Sequence, residues 1–154
     1  MELTTKARPI DPERASKPVL TRRLAWGGIA AAAVTVLAVA AWLEPSASGH
    51  GTHTQLGLPP CGFLTLTGFP CPGCGLTTAF AHGVRGSLVQ SAIANPLGLA
   101  MFLLTCLAVP VGFLGAVRGW SFERIADRVS LHQWALVLAG AAVLVWTARF
   151  VAAL

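Results

Sequence analysis

The chain has 154 residues, of which 55 % are hydrophobic and 11 % charged, with a formal net charge of +5. That is too apolar for an ordinary soluble domain, so lipid is the expected solvent of its surface. The basic balance calls for no nucleic-acid partner: groove-reading elements are absent, and Arg22 and Arg23 stand beside an apolar run where anionic head groups would meet them.

Residues 1–23 are charged and interrupted by Pro9, Pro12 and Pro18. They cannot bury enough apolar surface to offset ordering, and a flexible basic tail is expected. Leu24 to Leu43 then gives an uninterrupted apolar run, close to the roughly 20 residues that cross about 30 Å of hydrocarbon. The preceding cations and the small residues from Pro45 to Ser48 imitate a secretory signal. The run is longer than the roughly 7–15 residues of a signal core, however, so an uncleaved anchor is expected. Gly27, Gly28 and the alanines 30–33 allow a second helix to approach this one closely.

The connection 44–96 divides in two. "EPSASGHGTHTQLGLPP" is small, polar and punctuated by glycine and proline, which predicts an irregular excursion. Beyond it Leu76, Phe80, Leu88, Val89 and Ile93 recur at rough helical spacing broken at Gly83 and Gly86, predicting two short helices at the membrane interface. Asn95 and Pro96 supply a cap and a first-turn proline for a second span over 97–117, which Pro110 should kink. "RGWSFERIADRVSLHQW" predicts a short amphipathic helix with Trp120 and Trp134 at the interface, and 132–153 a third span.

The expected fold is therefore an all-α membrane protein: three transmembrane helices, with short interfacial helices in the loop between the first and second. Residues 24–154 would form a single membrane domain. Orientation follows the cations, which cytoplasmic segments retain. Lys6, Arg8, Arg14, Lys17, Arg22 and Arg23 precede the first span, Arg85 alone lies in the next loop, and Arg118, Arg124 and Arg128 lie in the one after. The expectation is an integral protein of the cell (inner) membrane with a cytoplasmic N-terminus and an extracytoplasmic cysteine loop.

That loop carries "GFPCPGCGLTTAF", residues 68–80. Cys61, Cys71 and Cys74 are three soft ligands within a short span, and zinc would complete four with His53 or His50. His82 is poorer, because eight residues of helix would carry it about 12 Å from Cys74. A second reading makes Cys71 and Cys74 a redox pair at a helix start, exchanging with Cys61 and linked to a membrane quinone. A third makes the segment a tight turn, stabilised by a disulfide from Cys61 to Cys71 or Cys74. Cys106, in mid-span, reads as packing; Asn95, Thr77 and Thr78 read as helix-start residues and Arg85 as an interfacial anchor. Hydrolysis has no support: Glu44 is the sole acid of the outer loop, and no Ser/His/Asp spacing or phosphate-binding glycine loop appears.

The run Cys71, Pro72, Gly73, Cys74, Gly75, Leu76, Thr77, with Gly86, Asn95 and Pro96 downstream, resembles the bacterial membrane proteins grouped as domain of unknown function 2752. The likeness covers roughly residues 58–117. It implies a small multi-span protein and brings no established activity. Cys61 resembles the upstream cysteine of many members, whereas Thr78 stands where they usually have arginine. The expected role is a non-enzymatic membrane component or accessory subunit, embedded in the bilayer beside a membrane-protein partner, with a cysteine-organised outer loop able to bind a metal. A membrane thiol-disulfide oxidoreductase is the alternative.

Overall fold

The computed structural model describes residues 18–121 and 131–152. The described residues form helices and connecting segments, with no strand among them: α1 Val19–Trp42, a 3-10 turn Thr52–Leu56, α2 Gly62–Thr67, α3 Leu76–Gly83, α4 Leu88–Ala94, α5 Pro96–Arg118 and α6 Leu131–Ala152. The proposed tail up to residue 17 and the amphipathic helix expected after Trp120 lie largely outside the described residues.

Helix α1 begins at Val19 rather than Leu24, with Pro18 at its N-cap. The difference is physical. Hydropathy marks the apolar side chains, whereas the backbone ladder continues through Arg22 and Arg23, and Arg22 N–H already donates to Pro18 O at 3.3 Å. Helices α1 and α5 are long and apolar enough to cross a membrane, and 17 % of the most apolar window of each is buried. A core helix of a soluble protein would hide most of that surface. Instead Val34, Val36, Leu103, Leu107 and Phe113 face outward, and only an apolar surrounding or partner can cover them.

The two long helices pack antiparallel through small residues, as helices do where apolar burial offers no drive to associate. A Cβ on Gly112 would come within 3.0 Å of Ala30, and one on Gly115 within 2.5 Å of the Trp26 ring. Trp26 is buried and donates its indole N–H to Trp120 O at 2.9 Å, fixing the chain where it leaves α5. At the opposite end Arg85 donates to the carbonyls of Ala41 (3.2 Å), Ala40 (3.4 Å) and Ala81 (2.7 Å). It therefore satisfies carbonyls that the C-terminus of α1 leaves open, a more specific role than an interfacial anchor.

The cysteine loop contains the two expected short helices, α3 and α4, and two that its glycines and prolines hid, the 3-10 turn and α2. Ser91, fully buried in α4, donates to Ala79 O at 2.8 Å and ties α4 to α3. Helix α5 runs on through Pro110. Helix α6 meets this loop near its own C-terminus: Trp146 Nε1 donates to Pro70 O at 3.2 Å, and the Phe150 ring lies 4.8 Å from that of Phe69.

Candidate metal centre

Between Pro70 and Leu76 the chain reverses in tight steps. Cys74 N–H donates to Cys71 O at 3.0 Å and Leu76 N–H to Gly73 O at 3.1 Å, so Cys71 and Cys74 are brought to the same side of one turn. Gly75 follows at φ +88°, and its carbonyl accepts the Ala79 N–H at 2.8 Å to open α3. Cys61, at the N-cap of α2, closes on the turn from outside.

No disulfide joins the four cysteines. The sulfurs of Cys61 and Cys71 stand 3.5 Å apart and those of Cys71 and Cys74 3.3 Å, far beyond a disulfide bond of about 2.05 Å. The three sulfurs lie within 4.8 Å of one another. Thiolates sharing a tetrahedral zinc at about 2.3 Å stand about 3.8 Å apart, so a small relaxation would set the ion among them. Cys106 lies half-buried on α5 and outside the cluster.

The thiols are unequal. Cys61 is lowered to about 7 by the backbone N–H of Leu64 in the first turn of α2, with the Cys74 and Cys71 thiols beside it adding to the effect. Burial pushes Cys74 up to about 12, and its two thiol neighbours raise it further. Alkylation of Cys61 is accordingly expected to accelerate through pH 7, while Cys74 remains protected well above pH 9; mass spectrometry of trapped peptides checks the order. The stability signs are opposed. Between about pH 7 and 9 the unfolded chain holds a proton that folded Cys61 has released, so stability rises with pH. Above about 9 the unfolded chain releases the proton that folded Cys74 keeps, and stability falls.

Two histidines line a cavity of about 410 Å³ together with the three cysteines, Thr77 and Thr78. Both His53, the fourth ligand expected first, and His50 are outside the converged group, and His53 Nε2 donates to Pro59 O at 3.1 Å. His82 lines a separate, more polar cavity of about 320 Å³ that His50 also borders.

The turn is held from behind by Asn95. Its Oδ1 accepts the Gly98 N–H at 3.0 Å, the expected cap, while its Nδ2 donates to Cys74 O at 3.0 Å and Pro72 O at 3.2 Å. One buried amide thus joins the start of α5 to both sides of Gly73. Thr78, buried completely, hydrogen-bonds Thr52 hydroxyl to hydroxyl at 2.8 Å, and Thr52 Oγ1 accepts the Ser46 N–H at 3.0 Å. Sequence reasoning treated Thr78 as a helix-start residue; its long-range partner has no local signature.

No curated protein and no solved structure matches the chain. The family model described as Protein of unknown function (DUF2752) matches residues 61–109, the stretch running from the first thiol of the cluster through the Asn95 clamp into α5. Over that stretch, which builds the thiol centre, the chain is similar to the DUF2752 family.

Proposed function

We propose that this protein is an integral membrane component, non-enzymatic in itself, whose cysteine loop binds a soft divalent metal ion of the zinc class through Cys61, Cys71 and Cys74. The convergence of three sulfurs within 4.8 Å carries the reading. Thiolates are the ligands such ions favour, and a shared ion relieves the cost of holding three thiols in one place.

In this reading α6 is the third span, with the N-terminus cytoplasmic and the cysteine loop on the outer face of the cell (inner) membrane. Three observations support it. Helix α6 has 22 residues, long enough to cross. Its C-terminal half meets the cysteine loop through Trp146 and Phe150, as an up-down-up bundle requires. The contacts of Trp26 with α5 and of Arg85 with the end of α1 support an α1 that stays with the bundle as an anchor.

The test is the metal content of protein purified in detergent with and without added zinc. About one zinc per chain is expected, falling to a small fraction in Cys71→Ser, because Cys71 is one of the three converged sulfurs and contacts both others. Zinc retained at full stoichiometry by Cys71→Ser would sink the reading.

The contacts of Cys71 with both other sulfurs also favour a second reading, a thiol-disulfide oxidoreductase using the Cys71/Cys74 pair with Cys61 as exchange partner. Forming one disulfide would release two electrons and two protons to a membrane quinone. Metal-free protein that cycles between dithiol and disulfide with a quinone would favour this reading.

A further inference from the structure

We infer that His50 supplies the fourth ligand through Nε2, making the occupied centre a three-cysteine, one-histidine site closed by the loop 49–52. The inference rests on the metal-binding reading and names the residue that completes it.

The loop is pinned to the cysteine turn on both sides of His50. Before it, Gly49 O lies so near Gly75 that a Cβ there would stand 2.7 Å away. After it, the Thr52 hydroxyl bonds Thr78 in the first turn of α3. His50 is thereby suspended over the residues that follow Cys74, on the cavity that the three sulfurs line. Its neighbours Gly49 and Gly51 adopt φ +75° and +83°, and a Cβ on either would meet nothing within 4 Å.

The ring chemistry fits as well. Ser48 Oγ donates to His50 O at 2.9 Å and lies 3.5 Å from His50 Nδ1, where it can accept an N–H. A proton on Nδ1 leaves the Nε2 lone pair for a metal. His53 lines the same cavity, but its Nε2 donates to Pro59 O, so Nδ1 is the nitrogen it would offer a metal. Charge also favours a neutral ligand. Three thiolates and a divalent ion leave one negative charge, and the cavity lining contains no lysine or arginine to balance a second. An imidazole adds none.

The experiment is X-ray absorption at the zinc edge on the full chain in detergent, for wild type, His50→Ala and His53→Ala, together with competitive zinc titrations. Three sulfurs and one imidazole, recognised by its outer-shell scattering, are expected in wild type and in His53→Ala. His50→Ala should lose the imidazole signature and bind zinc at least about tenfold more weakly, since even an outer partner of a ligand is worth roughly 10–100-fold. Loss of the signature in His53→Ala instead, or a wild-type shell without imidazole, would overturn the assignment while leaving the three-sulfur site standing. Wild type that takes up no zinc would overturn the metal-binding reading, and this inference with it.

Discussion

Gly75→Ala is expected to lower the melting temperature sharply and to abolish stoichiometric zinc binding. At φ +88° an L side chain is strained by roughly 1–2 kcal/mol, before any contact is considered. The new methyl would also run into the carbonyls of Ala94 and Gly49, which belong to two different segments packed on the turn. Forcing them apart costs roughly another 1–3 kcal/mol. Gly68→Ala is the matched control, since Gly68 has φ +76° but open space where its Cβ would go. It should lose the backbone contribution alone and keep its zinc. Equal melting temperatures for the two variants in one detergent would show that crowding at Gly75 is not what shapes the site.

Asn95→Ala should cost about 2–4 kcal/mol and disorder the cysteine turn, more than the loss of a helix cap explains. A cap contributes about 0.5–2 kcal/mol, and a carbonyl left buried without a donor costs about 1–3 kcal/mol. Asn95 supplies both, capping α5 with Oδ1 and holding Cys74 O and Pro72 O with Nδ2. Asn95→Asp separates the two functions. It keeps the acceptor for Gly98 but turns a second carboxylate oxygen toward two carbonyl oxygens, so at neutral pH it should be no better than alanine. Thermal unfolding of the three proteins, with zinc content measured in parallel, checks this. An aspartate variant as stable as wild type would reduce Asn95 to a cap.

Asn95 also marks how far the sequence could be read. Its capping half was legible because Asn-Pro before an apolar run is a local signal, and the cap forms as expected. Its clamping half was hidden, because Pro72 and Cys74 lie 23 and 21 residues upstream and nothing in a linear pattern says which carbonyls a side chain will reach. The same division runs through the molecule. Apolar runs gave the long helices, and rough helical spacing gave α3 and α4. Helix α2 went unseen among the glycines and prolines that flank it, and within it Thr65 and Thr67 donate their hydroxyls to the carbonyls of Cys61 and Phe63. The three thiols were legible as a group, but the choice between the two nearby histidines was not. Both line the cavity of the sulfurs, and their tertiary bonds differ: Pro59 O takes the Nε2 proton of His53, and the Thr52–Thr78 bond holds the loop that carries His50.

The bond from Trp146 to Pro70 spans 76 residues and reaches the carbonyl just before Cys71. It sets a timetable for biogenesis. A ribosome delivers all three clustered cysteines to the membrane well before it has made Trp146, and for that interval the loop lacks the indole and phenyl contacts that α6 later provides. The contacts that brace the turn before Cys71 are thus completed only when α6 has arrived. A chain that stops short of it would leave the thiols in a looser setting, without the indole and phenyl contacts that brace the turn.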